Sequence, residues 1–212
     1  MKCLLLGYGE IGKAVKEVFG KVHSITEFDI KLKDSPEIGP EYEMLLVTIP
    51  YSDEFIEVVT NWINIYSIKA TIIFSTVAIG TTRKIPESVH SPVEGKHPNL
   101  AESIKLMPRW VGGFGKLIDQ FFTEAGFKPV YVTPETTEFL KLQSTSNYGL
   151  MIEYARYVKS VCDQLGINYA HVKDFNLDYN ILYKKLGMPK YFRPATGQFR
   201  GPLRGSECKD AG

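Results

Sequence analysis

Hydrophobic positions along the chain follow two rhythms. Lys2 to Leu6 is a short apolar run closed by glycine, which predicts a strand buried on both faces of a parallel sheet. Ile11, Ala14, Val15, Val18 and Phe19 then recur at helical spacing until Gly20 stops the run, and Val22 to Phe28 reads as a second strand. Lys31 to Glu43 is polar and carries Pro36, Gly39 and Pro40, so a loop is expected where a crossover helix would normally stand. Met44 to Ile49 predicts a third buried strand, Phe55 to Ile65 an amphipathic helix and Thr71 to Phe74 a fourth strand, with further strands around Val89 and Trp110. Such alternation implies parallel strands joined by right-handed crossovers.

The character changes near Thr133. Thr133 can cap a helix, Pro134 fits its first position and Glu135 suits its dipole, so a long helix is predicted toward Leu165, stopped by Gly166. Leu150, Tyr154, Val158, Val161 and Leu165 form one face of it, and Leu177 to Leu186 reads as a shorter helix ending at Gly187. The glycine-rich tail from Pro194 to Gly212 reads as loop, open to ordering by a ligand.

Composition narrows the function. The 212 residues suit one full domain with a smaller attachment, and 25 basic against 24 acidic residues, net +1, leave no electrostatic footprint for nucleic acid or an anionic membrane. A small-molecule ligand is the expected partner. Cys3, Cys162 and Cys208 stand far apart without metal spacing, and Met1 leads directly into a strand-like run rather than a targeting segment. With no apolar stretch near the roughly 20 residues of a bilayer span, the chain reads as a cytoplasmic protein with reduced thiols.

The sharpest chemical signal is Gly7-Tyr8-Gly9-Glu10-Ile11-Gly12, which follows a buried strand and opens a helix. In that context Gly7 permits the tight turn, Gly9 lets a pyrophosphate approach the backbone, and Gly12 lets helix and strand pack closely while the helix N-terminus faces the phosphates. Asp29 ends the second strand about 20 residues after the central glycine, where a carboxylate accepts the two ribose hydroxyls and repels a 2'-phosphate. The pair predicts a Rossmann-type α/β fold with a mostly parallel sheet and NAD as cofactor. Residues 1–132 are expected to form the NAD-binding domain and residues 133–212 a helical substrate and dimerisation segment.

Over nearly its whole length the chain also resembles the nucleotide-sugar dehydrogenases (UDP-glucose, GDP-mannose) and the related 6-phosphogluconate and beta-hydroxyacid dehydrogenases. Val47-Thr48-Ile49-Pro50 is similar to their third-strand end, and Ser75-Thr76-Val77-Ala78-Ile79-Gly80-Thr81-Thr82 to their segment at the sheet's carboxyl edge. The resemblance therefore adds Thr48, Ile49, Pro50, Ser75 and Thr76 to the cofactor site. Ser91-Pro92-Val93-Glu94-Gly95 resembles the loop that meets substrate, and Pro108 to Gly113 the strand after it. Sugar-oxidising members place glutamate directly after that proline. This chain has Val93 there, with Glu94 one position later and His97 beyond. Glu138-Phe139-Leu140-Lys141 resembles the helix whose lysine acts on the substrate hydroxyl, which makes Lys141 the leading catalytic candidate. The family's asparagine one turn beyond it is Thr145 here, with Asn147 two places on. Gly201 to Cys208 resembles the approach to the family's nucleophilic cysteine, so the resemblance makes Cys208 the thiol of a thioester route to an acid.

Two readings follow. The first is an NAD-dependent dehydrogenase acting on a CH-OH group, in a chain lacking the second Rossmann-like domain of the nucleotide-sugar enzymes. The second is a non-catalytic NAD-binding or sensing module, in which the changes at Val93 and Thr145 have removed chemistry. Large side chains at Tyr148, Met151 and Tyr157 on the long helix predict a homodimer.

Overall fold

The computed structural model of the chain describes residues 1–31, 39, 41–95 and 98–189. Two compact units divide it: Met1–Leu142, and the part from Gln143 onward. The division falls inside a helix rather than at Thr133, so Lys141 belongs with the sheet.

The first unit is built on seven strands in the order β2-β1-β3-β4-β5-β6-β7. They are β1 (Lys2–Leu6), β2 (Ser24–Phe28), β3 (Met44–Val47), β4 (Ala70–Ile73), β5 (Ser88–His90), β6 (Trp110–Gly112) and β7 (Val130–Val132). Both faces of the central strands are buried. Cys3, Leu5, Met44, Leu46 and Ile72 join one apolar cluster with Val15, Val18 and Phe19 of α1 (Glu10–Phe19). Ile104 of α3 (Leu100–Leu106) and Phe121 and Phe122 of α4 (Lys116–Glu124) complete that layer. Leu4, Leu6, Leu45, Val47 and Ile73 point the other way, onto Phe55, Val59 and Ile63 of α2 (Phe55–Tyr66). The period-two alternation of strand side chains thus divides the core between two helical layers. This is the expected Rossmann-type architecture.

Pairing is parallel from β2 through β5. The uninterrupted alternation of parallel strands expected from the sequence fails at one point, since β5 and β6 run antiparallel and meet at His90 and Gly112. The intervening segment holds only the two-turn α3, packed against α1, and returns to the sheet at the edge it left. α3, α4 and β7 are too short to show a clear period in the sequence. The predicted loop 31–43 falls mostly outside the described residues.

α5 runs Pro134–Leu165, as its capping residues predict. α6 runs Tyr169–Lys185 and starts earlier than its apolar pattern indicated, because Asn168 supplies the N-cap, its side chain accepting from Ala170 N at 3.0 Å. In the second unit Ile152 and Cys162 are buried, whereas Leu150, Tyr154 and Leu165 of the predicted face are more than half exposed.

Candidate cofactor and substrate site

The chain departs from β1 toward β2 on one side and β3 on the other, so the direction of winding reverses between β1 and β3. Open α/β sheets bind ligands outside the carboxyl ends of strands at such a reversal. The glycine turn lies there. Gly7 has φ +97°, a conformation costly for any side chain, and its N–H donates to Phe28 O at 2.8 Å. Gly12 is buried, and a Cβ there would collide with Gly7 O and lie 2.9 Å from Thr48 Oγ1. Gly9 caps α1 without a side-chain hydrogen bond, and a Cβ added to it meets nothing within 4 Å. Glu10 is exposed on the first turn, while Tyr8 and Ile11 are half-buried. Backbone donors at a helix N-terminus therefore face open space, the arrangement a pyrophosphate requires.

Asp29 stands against this turn. Its Oδ2 accepts from Tyr8 N at 2.7 Å and its Oδ1 from Lys31 N at 2.9 Å. These two donors, Tyr8 first, hold the carboxyl below the usual aspartate range. Each oxygen retains a lone pair for a further donor.

Thr48 and Ser75 knit the strand ends together. Thr48 Oγ1 donates to Gly7 O at 2.7 Å, and Ser75 Oγ donates to Ile49 O at 2.6 Å. Both hydroxyls are thus engaged with backbone. Ile49 and Thr76 are half-buried at the same edge, and Pro50 is exposed.

The residues sequence reasoning missed sit on the first turns of α5. Glu138 is fully buried and accepts three hydrogen bonds, from Gly80 N at 2.6 Å, Thr82 N at 2.8 Å and Thr82 Oγ1 at 2.6 Å. His90 is also fully buried, with Nε2 3.0 Å from Ser75 O and Nδ1 2.9 Å from Thr137 Oγ1. Burial pushes its pKa down to about 4, so near neutrality it carries one ring proton. Because Ser75 O can only accept, that proton is on Nε2 and Thr137 donates to Nδ1. α5 is in this way fastened to the segment running from Ser75 to Thr82. The available signal was an acid one helical turn before Lys141, paired with a Gly-Thr-Thr turn rich in donors.

Lys141 reaches the loop after β5, where its Nζ donates to Val93 O at 2.7 Å and lies 3.5 Å from Glu94 Oε2. Both side chains are largely shielded, at 15% and 20% exposure. Val93 is buried in the core, so at this loop the carboxylate meets the lysine from one position later. Thr145 is half-buried and Asn147 exposed, and both belong to the second unit. Cys208 and His97 lie outside the described residues.

A cavity of about 590 Å³ opens elsewhere, at the amino edge of β4 and β5, lined by Lys69, Arg83, Glu87 and Lys116 among others. It has no part in the glycine turn.

No protein-family model and no curated protein matches the chain. Solved structures do. GDP-mannose dehydrogenase from Pseudomonas aeruginosa superposes with a TM-score of 0.65 at 12% identity, over 84% of this chain and 57% of that one. UDP-glucose dehydrogenase from Pyrobaculum islandicum gives 0.64 at 14%, over 90% and 58%. 3-Hydroxyisobutyrate dehydrogenase from Salmonella typhimurium gives 0.64 at 13%, over 83% and 72%. The fold is the one these dehydrogenases share. It matches the families that the motifs resemble, and the chain spans less than two thirds of the two sugar-nucleotide enzymes. No helix among the described residues is long and apolar enough to cross a membrane.

Proposed function

We propose that the chain binds NAD across the carboxyl ends of β1 and β3 and oxidises a CH-OH group. The observation that carries this reading is the uncapped, open glycine turn with the Asp29 carboxylate hydrogen-bonded to it. Asp29 favours NAD over NADP because a fixed anion there repels a 2'-phosphate. Gly9 and the first amides of α1 hold the pyrophosphate, and Thr48 to Pro50 with Ser75 and Thr76 form the floor beside the reacting end.

When bound, NAD supplies the hydride acceptor. The protein's part is to orient the alcohol and take its proton. Lys141 is the group for that task, with Val93 O and Glu94 fixing its direction, and it acts after passing a proton to solvent or to Glu94. Thr145 and Asn147 are further substrate contacts in this reading, and Cys208 supplies a thiol for a second oxidation if the substrate is a sugar nucleotide. A compact hydroxy acid needs only the first oxidation. The working form is a cytoplasmic homodimer joined through α5, whose Tyr148, Tyr154 and Tyr157 are 41%, 53% and 66% exposed.

The test is calorimetry with NAD and NADP beside an NADH-formation screen over hydroxy acids and sugar nucleotides. Turnover that Lys141→Ala abolishes without changing NAD affinity supports the dehydrogenase. Tight NAD binding with no turnover across the screen supports the sensing module, which the displacement of the acid from position 93 favours. Indifference to NAD overturns both. Turnover that Cys208→Ser limits to a single hydride identifies the thioester route.

A further inference from the structure

Arg109 is 2% exposed, and its Nε and Nη1 find no hydrogen-bond partner. Burial pulls its pKa down to about 10, opposed by the nearby Glu94 charge, so the guanidinium remains a cation near neutrality. A methionine would fill comparable space without the desolvation cost of a buried charge. Packing alone therefore gives no reason for an arginine here, and an orphaned buried donor calls for another explanation.

Its position supplies one. Counting outward along the antiparallel segments from His90 and Gly112 brings Arg109 level with Val93, one residue from Glu94. Val130 N fixes the other side of its backbone, donating to Arg109 O at 2.8 Å. Gly95, with φ +133°, turns the chain immediately after Glu94. Glu94 thus follows the arginine's register on one side and faces the Lys141 ammonium at 3.5 Å on the other. The remaining charged or titratable groups about Lys141 are neutral His90 on β5 and Glu138 on its own helix.

We propose that Arg109 is a positioning residue for Lys141, acting through Glu94: two cations, one buried and rigid and one mobile, share a single carboxylate, which keeps Glu94 from closing fully on the lysine. Arg109 is too enclosed to touch a substrate. This inference rests on Lys141 being the working lysine, yet the arrangement can be measured without turnover.

The experiment uses the full chain and follows the rate at which Lys141 is acetylated, read by peptide mass spectrometry, in wild type, Arg109→Met, Arg109→Lys, Glu94→Gln and the Met-Gln double variant. Arg109→Met is expected to fold with an undiminished Tm and to slow Lys141 acetylation about threefold, the size of a modest ion-pair effect. Arg109→Lys restores the rate, and adding Glu94→Gln abolishes the slowing. An unchanged Lys141 rate in Arg109→Met, or the same slowing in the Glu94→Gln background, overturns the proposal. Should the Met variant not fold, that too counts against it, and Glu94→Gln alone must still speed acetylation. In the turnover arm, Arg109→Met lowers kcat while the KM for NAD holds. Absence of turnover in wild type refutes the dehydrogenase reading and leaves the acetylation result standing.

Discussion

Asp29 Oδ2 accepts a hydrogen bond from Tyr8 N at 2.7 Å, tying the end of β2 to the glycine turn after β1. One carboxylate thereby braces the turn and faces the position of a ribose. Asp29→Ala is expected to weaken NAD binding about tenfold or more, the range for hydrogen bonds to a charged acceptor. Because the folded carboxyl titrates below its unfolded value, its contribution to stability is complete above pH about 4 and is lost as pH falls through the folded value. Calorimetric titrations at two pH values check the affinity, and equal NAD binding by the alanine variant would refute the assignment.

Gly12 and Gly9 separate folding from binding. A methyl group on Gly12 runs into Gly7 O and Thr48 Oγ1, both fixed by the sheet, so Gly12→Ala should cost about 1–3 kcal/mol and lower the Tm. Gly9 has φ −73° and open space above it, so Gly9→Ala should keep nearly the wild-type Tm and lose NAD affinity. Thermal unfolding with and without NAD distinguishes them. Reversal of the two effects would place the pyrophosphate somewhere other than the α1 N-terminus.

How far the sequence carried the structure depended on the range of the interactions involved. β1, α1, β3 and β4 were legible because local period and glycine spacing determine them, and Asp29 because its distance from Gly9 is a property of the βαβ unit. The antiparallel β6, the buried Arg109 and the carboxylate of Glu138 were not. Each depends on a contact between residues distant in the chain, such as Glu138 with Thr82, and no local rhythm encodes that. Val93 and Glu94 are the instructive pair. A motif comparison registers a missing acid at position 93, and the folded loop brings the next residue to the lysine.

His90 predicts an acid-sensitive fold. Its folded pKa, about 4, lies below the ordinary histidine value, so the unfolded chain binds the extra proton and stability falls as pH drops from about 6.5 toward 4. The limiting slope is about 1.4 kcal/mol per pH unit for one site. His23, buried beside Phe121, is shifted in the same direction chiefly by burial, so His90→Gln should flatten the curve only in part. Urea unfolding across this window measures the slope, and a His90→Gln curve parallel to wild type would contradict the assignment.

Glu138 offers the strictest test of the fastening between α5 and the carboxyl-edge loop. Its carboxylate meets three donors at 2.6 to 2.8 Å, and an amide can accept through only one atom while turning its own NH₂ toward another N–H. Glu138→Gln should therefore cost about 2–4 kcal/mol, larger than a surface substitution because buried donors lose their acceptor. Thr82→Val removes one donor and should cost about 1 kcal/mol. The double variant should cost less than the two combined, since both act on the same bond. Denaturation of the four proteins measures this coupling, and strict additivity would show that Glu138 and Thr82 do not hold the loop together.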